Sequence, residues 1–489
     1  MLQLIKSVML SAIVIILSTG IMHCGAEPSE TVSIDVNNII KSNVRKGAGG
    51  ANLCWLLDTD LKRPNATPFS EAITELGCGS LRFPYGHLAD NYLWHSPPFD
   101  EIANGLRPKV GTLEQAPGGW DWAVDVDGYF TSAMDFDEFM MLCNNLNIKP
   151  LVVINIFSYK YDGGPTYEEL KRTAVEWVKY AKLKGYHVDY WQLGNEIDHH
   201  QDILPRKEYE KLYVDFVSAM KAVDPTIRTG PGILSKTIYF EEIMTQAPQL
   251  VDFVSAHQYM WGFQDSCATY PLWKEYSNRF VPNIERMQNV VSKSSKPEMD
   301  IVITETGVSP VNDKLGKINN TYKALWWFEV LMNEICVPNV SYSYYWGTHS
   351  PWSGSVDNDD GDAAVLLRID DNTRKPTGEI VRIVNDGLLD NMIAATTASK
   401  YIRTYATANA SGNAVNIFLM NKNIEPVDIV IKLENDSGQA RTFSRMALAG
   451  KTPDDRSPEY QQYPEIDVSS DKITLQLPPL SVTVLKQAN

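Results

Sequence analysis

Between residues 46 and 390 the chain alternates short apolar runs with longer stretches whose apolar residues recur at helical spacing. Eight runs read as strands: Gly50–Trp55, Ser80–Phe83, Pro150–Ile156, Asp189–Leu193, Ile227–Thr229, Phe253–His257, Asp300–Thr304 and Ser341–Trp346. The stretches that follow them read as helices: Ser70–Leu76, Asp135–Asn147, Tyr167–Lys184, Arg206–Val223, Ile238–Gln246, Trp273–Ser292, Tyr322–Ile335 and Thr377–Leu389. Runs such as Leu151-Val152-Val153-Ile154 and Ile301-Val302-Ile303 are apolar at consecutive positions, as parallel strands buried on both faces must be. Eight strands, each followed by a helix, predict an α/β fold of the (β/α)8 barrel type over 46–390. A doubly wound open sheet is the competing fold, but no GxGxxG opens a helix. Two insertions, Gly86–Thr131 after the second strand and Gly347–Thr373 after the eighth, would form the catalytic rim.

Beyond residue 390 the period changes from helical to two. Tyr401–Ala406, Ala414–Met420, Val427–Leu433, Lys472–Leu477 and Val482–Leu485 alternate as half-buried strands, so 391–489 is expected to form an antiparallel β-sandwich. Residues 31–45 open with another alternating run, Thr31–Val36, expected to pair with that sandwich. At the amino terminus Lys6 precedes an apolar run, Val8–Leu17, too short to span a bilayer but the right length for a signal peptide. Two processing readings stand open. Cleavage after Ala26 would remove residues 1–26 and release a secreted protein; cleavage after His23 would leave Cys24 to carry a lipid anchor. Either way the protein is expected to be exported, secreted or periplasmic or held at the outer surface, with no transmembrane span.

Charge and cysteine content narrow the partners. The 44 Lys and Arg against 60 Asp and Glu give a net charge of −16, which argues against nucleic acid and highly sulfated polymers. The 12 Trp and 23 Tyr suit a chain that handles sugar rings, although a large core also uses them. Trp94, Trp120, Trp122, Trp261 and Trp352 fall in rim loops, where one or two are expected to stack on sugar. Cys54, Cys78, Cys143, Cys267 and Cys336 show no CxxC or His pairing, so neither a zinc site nor a disulfide framework is expected. The acidic run Asp357–Asp362 is not an EF-hand, because Val356 would fall at the first ligand and Leu367 at the terminal glutamate. His199-His200 lacks further ligand spacing and reads as a substrate-facing loop. The sequence calls for no metal and no cofactor.

Two carboxylates stand out. The run Tyr190-Trp191-Gln192-Leu193-Gly194-Asn195-Glu196 ends strand four, and Ile301-Val302-Ile303-Thr304-Glu305 ends strand seven. Ends of barrel strands are where such folds place catalytic groups, and alternate strands face the same opening. The same dipeptide at Asn333-Glu334 lies inside a helical pattern and is read as without meaning for catalysis.

This set resembles the clan-A retaining glycoside hydrolases, whose acid/base Glu follows Asn on strand four and whose nucleophile Glu ends strand seven. Leu81-Arg82-Phe83-Pro84-Tyr85-Gly86 is similar to the strand-two segment whose Arg contacts the nucleophile. Ala256-His257-Gln258-Tyr259 resembles strand six, whose His and Tyr approach the same carboxylate, and Trp346 matches the Trp that floors the sugar subsite. The arabinofuranosidase, β-glucuronidase/heparanase and xylosidase branches are the most similar, and certain agarases share the Gly-Asn-Glu segment. Tyr85-Gly86-His87 departs from the Gly-Gly often found after the strand-two Pro.

The resemblance implies Glu196 as acid/base and Glu305 as nucleophile, with Asn195, Arg82, His257, Tyr259 and Trp346 binding substrate. Double displacement needs one nucleophilic carboxylate and one protonated carboxyl. On that chemistry Arg82 and Tyr259 would hold Glu305 as its carboxylate, Glu196 would need a raised pKa, and Asn195 would bind the hydroxyl beside the anomeric carbon. The expected partner is a plant, algal or host oligo- or polysaccharide. A second reading is a catalytically inactive glycan-binding barrel protein at the cell surface.

Overall fold

A computed structural model describes residues 30–100, 105–113, 123–308, 318–350, 364–436, 440–469 and 471–488. The signal segment with Cys24, together with Trp120, Trp122, Trp352 and the acidic run 357–362, lies outside the described residues.

Eight parallel strands form the barrel: Gly49–Asn52, Ser80–Phe83, Lys149–Ile154, Tyr190–Leu193, Thr229–Pro231, Phe253–Tyr259, Asp300–Gly307 and Val340–Tyr345. In chain order they are strands one to eight. Strands five and six complete the ring through a parallel bridge between Gly232 and Ser255, so the sheet is wound round rather than open. Leu151, Val153, Tyr190, Phe253, Val302, Tyr342 and Tyr344 fill the interior as one apolar cluster. The outward residues of the same strands join the helices in a second, larger core. Burial on both faces is why Leu151–Ile154 and Ile301–Ile303 are apolar at consecutive positions.

The helices Tyr167–Lys184, Arg206–Val223 and Ile238–Gln246 have the bounds their periodicity predicts. The first is stopped at both ends by local chemistry: Thr166 and Glu169 form a capping box, and Gly185 ends it at a φ of 70°. The stretch Trp273–Ser292, read from sequence as one helix, is two, Tyr270–Glu275 and Pro282–Val291. Pro282 lacks the amide hydrogen that continuity requires and sits where a helix begins. Strand five also lies two residues later than Ile227–Thr229.

The carboxyl-terminal sheet has nine strands in one hydrogen-bonded run, and the amino-terminal strand Glu30–Lys41 lies within it. Every pair is antiparallel except Glu30–Lys41 beside Val427–Glu434, which is parallel. Its inner face encloses a separate core that includes Val32, Ile34, Ile417, Leu419, Ile431, Phe443 and Leu485. Val415–Asn421 is buried at all seven positions because its other face, through Phe418 and Met420, joins the barrel's helix layer. Asn391–Thr397, Arg441–Ala449 and Glu459–Val468 are strands that the alternation pattern misses. The last is largely exposed along its length and so has little apolar signal. Among the described residues no helix is long and apolar enough to cross a membrane. The five described cysteines are all free thiols.

Candidate active site

Strand four ends at Leu193, and the chain then turns sharply. Gly194 takes a φ of 74°, and a Cβ there would lie 2.5 Å from the Ile156 side chain, so the turn requires glycine. Glu196 itself takes a φ of 45°, an uncommon left-handed conformation for a residue with a side chain. Two residues on, buried Asp198 accepts the backbone N–H groups of Leu234, Ser235 and Lys236 at 2.6, 2.8 and 2.8 Å. That ties the loop carrying Glu196 to the loop after strand five. Strand seven continues two residues past Glu305 to Gly307. Its register against strand six slips between Ile303 and Glu305, leaving Thr304 as an extra residue. A bulge of this kind re-aims the side chain that follows it.

The geometry brings the sequence-derived residues together. Arg82, fully buried, donates from Nη1 to Glu305 Oε1 at 2.8 Å and from Nη2 to Asn195 Oδ1 at 2.5 Å. Tyr259 Oη donates to Glu305 Oε2 at 2.8 Å. His257 Nδ1 stands 3.0 Å from Glu196 Oε1 and 3.5 Å from Glu305 Oε2. One donor atom each of Glu196, His257 and Glu305 lie within 4.8 Å of one another. Trp346 is held by its backbone N–H on Thr306 O at 2.9 Å, and its ring packs on Tyr85 with centroids 4.7 Å apart. Asn195 Nδ2 and His257 Nε2 are buried without a hydrogen-bond partner among the described residues. Buried polar groups are normally satisfied, so these two suit a ligand's oxygens.

Ionisation in this cluster departs from one expectation. Burial pushes the Glu196 pKa up, but the hydrogen bond from His257 and the charges of His257, His199 and His200 outweigh it, leaving the carboxyl below its ordinary value. The raised value expected from sequence is not present in the ligand-free protein. For Tyr259, burial and the charges of Glu305 and Glu196 push the phenol well above its ordinary value, so it remains a donor.

Three contributors escaped the sequence reading. Asn52 on strand one accepts from Arg82 Nη1 at 2.7 Å and donates to Thr304 O at 2.9 Å and Tyr345 O at 3.1 Å. An amide within the apolar run Gly50–Trp55 is a signal that could have been used. Gly86 approaches Glu305 so closely that a Cβ there would lie 2.1 Å from its Oε1 and 3.2 Å from the Trp346 ring. Glu334, set aside from sequence, accepts from Thr306 Oγ1 at 2.7 Å and Ser343 Oγ at 2.6 Å behind strand seven. Tyr85 stands at a φ of 109°, a conformation open to the glycine that this resemblance leads one to expect and strained for tyrosine. Among the rim tryptophans, Trp94 is not available to sugar: it is buried, donates to Thr173 O at 2.9 Å and stacks on Trp177.

The barrel with its appended sheet is the architecture found in solved glycosidase structures. An α-L-arabinofuranosidase from Thermotoga maritima superposes with a TM-score of 0.68 at 17% identity, over 94% of this chain and 100% of that one. A xyloglucanase of glycoside hydrolase family 44 from Paenibacillus polymyxa gives 0.63 at 12% identity, over 94% and 99%. By sequence the chain is similar to an intracellular exo-α-(1→5)-L-arabinofuranosidase from Acetivibrio thermocellus, 21% identical over 254 residues. That match takes in 48% of this chain and 46% of the relative, so it spans about half the relative's length. No protein-family model matches the chain.

Proposed function

We propose that this chain is an exported retaining glycoside hydrolase that acts on a plant polysaccharide. The observation that carries the reading is the pairing of Glu196 and Glu305, with one carboxylate oxygen of each within 4.8 Å of the other and an arginine and tyrosine donating to Glu305. Retaining glycosidases hold their two carboxyl groups about 5–5.5 Å apart, whereas inverting ones need about 6.5–9.5 Å to admit a water. One oxygen of each glutamate within 4.8 Å of the other's supports the retaining arrangement without fixing the carboxyl separation.

Glu305 attacks the anomeric carbon while Glu196 gives a proton to the departing oxygen; water then enters with Glu196 as base. A sugar covering the site removes water from Glu196 and strengthens the burial that already pushes its pKa up, favouring the protonated form in the substrate complex. Asn195, pinned through its Oδ1 by Arg82, keeps Nδ2 free for the hydroxyl beside the anomeric carbon. The names of the relatives make terminal α-L-arabinofuranosyl groups the first substrates to test, with xyloglucan beside them. Export follows either processing route, cleavage after Ala26 or lipidation of Cys24.

The test follows the anomeric NMR signal of the first-formed product before mutarotation. Net retention is expected. An inverted first product would defeat the mechanism, and no release from any aryl glycoside or plant polysaccharide would favour an inactive glycan-binding barrel. Leaving-group dependence separates the two glutamates. Glu196→Ala should slow natural substrates far more than aryl glycosides with good leaving groups, since only the former need protonation. Equal losses would mean that Glu196 binds rather than protonates.

A further inference from the structure

We propose that His87, Asp90 and His200 form a binding site for a single divalent transition-metal ion of the zinc type, at the rim beside the two glutamates. His87 and Asp90 lie on the short helical turn His87–Asn91 that follows strand two, and His200 lies on the loop after strand four. In the sequence His199-His200 has no further ligand at metal-site spacing. The fold supplies two, from more than a hundred residues away.

One donor atom from each of the three lies within 4.8 Å of the others. The His87 and His200 rings face one another with centroids 5.4 Å apart at 23°, and His200 is braced edge-on against Phe157 at 5.5 Å. Asp90 supplies the decisive observation. It is 2% exposed, and neither carboxylate oxygen has a hydrogen-bond partner among the described residues. Its one ion-pair neighbour there is His87 Nδ1 at 3.4 Å, long for a hydrogen bond. A buried carboxylate left this way is costly, and a cation held between it and two imidazoles offsets the cost.

The donor set selects the ion. Two imidazole nitrogens and one carboxylate suit zinc or a neighbouring transition metal, with a further position open to solvent through the partly exposed histidines. Calcium and magnesium prefer oxygen ligands throughout. The adjacent trio Glu196, His257 and Glu305 is no rival, because the Arg82 guanidinium already occupies Glu305 at 2.8 Å. The proposal rests on this donor set and does not require the glycosidase reading.

The experiment is calorimetric titration of the untagged, chelator-treated full chain with zinc chloride, with calcium chloride in parallel. One equivalent of zinc should bind and raise the thermal midpoint, as any ligand selective for the native state does, and calcium should give no saturable heat. His200→Ala and Asp90→Asn should each weaken zinc by about tenfold or more, while His199→Ala should leave it unchanged. Circular dichroism identifies a variant that fails to fold, and His200, on a partly exposed loop, keeps the test open if Asp90→Asn does so. Absence of saturable zinc binding, equal binding of calcium, or zinc binding that His200→Ala does not weaken would each overturn the assignment.

Discussion

Each oxygen of Glu305 receives one hydrogen bond, from Arg82 on one side and Tyr259 on the other, and Gly86 closes over the first of them. Glu305→Ala should therefore abolish turnover, because no other carboxylate stands at that strand end among the described residues; more than a few per cent of residual activity would sink the role. Gly86→Ala is the subtler test. A Cβ 2.1 Å from Oε1 forces the carboxylate aside, and a displacement of about 1 Å at a reacting group costs on the order of 100-fold in rate. The expected result is that loss in kcat with a thermal midpoint close to that of the parent, and activity within a few-fold of the parent would remove Gly86 from the site. Glu196 and Glu305 were legible in the sequence because each follows an apolar strand, and Arg82, His257 and Tyr259 because strand-two and strand-six segments resemble known ones. Gly86 was not, and Asn52 only as an amide in an otherwise apolar run. Their importance lies in what approaches them across the barrel, from strands seven and eight, and no local pattern records that approach.

At the scale of elements, the bulge that sets Glu305 is backed by a helix. Glu334, on Thr321–Ile335, is fully buried, and burial pushes its carboxyl up to about 8 against the hydrogen bonds of Thr306 and Ser343. The native state thus keeps a proton that the unfolded chain releases. Below the ordinary carboxyl range both states are protonated and Glu334 costs nothing. As pH rises from there towards 8, stability falls by about 1.4 kcal/mol per pH unit, up to about 5 kcal/mol. Glu334→Gln keeps the shape without the titration, so the variant should match the parent near pH 5 and exceed it at pH 8 in denaturant midpoints. An unchanging difference across that range would exclude the buried proton. Asn333-Glu334 has no place in the chemistry, yet it is not idle, because its burial on a helix with all fifteen residues covered was invisible to a periodicity argument. Helices with one wet face, such as Tyr167–Lys184, were legible to the residue. The break before Pro282 was written in the sequence as proline and passed over, because apolar spacing continues on both sides of it.

For the whole molecule, the question is what joins the barrel to the sheet that both ends of the described chain build. Apolar contact is continuous, since Phe418, Met420, Val482 and Val484 belong to the same core as the barrel's helices. Within it sits a charged pin. Glu329, buried on Thr321–Ile335, meets Arg403 Nε at 2.5 Å, from the strand Ile402–Ala408, and Lys422 Nζ at 2.7 Å, just past the strand Val415–Asn421. Lys422 also lies over the Trp273 ring at 4.4 Å and donates to Tyr276 O at 3.3 Å, while Arg403 reaches Tyr276 O at 3.1 Å. Desolvating three charges is expensive, so the cluster is better understood as fixing the orientation of sheet on barrel than as a source of net stability. Removing one partner is a different matter, because it strands the others. Glu329→Ala should cost about 3–5 kcal/mol, and Lys422→Met in that background should recover a large part of it by removing the stranded cation. Arg403 keeps backbone acceptors at Lys400 O, 2.9 Å, and Ile402 O, 3.2 Å, and so is less dependent on the glutamate. Scanning calorimetry of the parent, the single variant and the double variant measures this directly. One unfolding transition is expected in all three, because the apolar core crosses the junction whether or not the pin is intact. A loss below about 1 kcal/mol for Glu329→Ala, or no relief from Lys422→Met, would show that the apolar contact alone sets how the two parts meet.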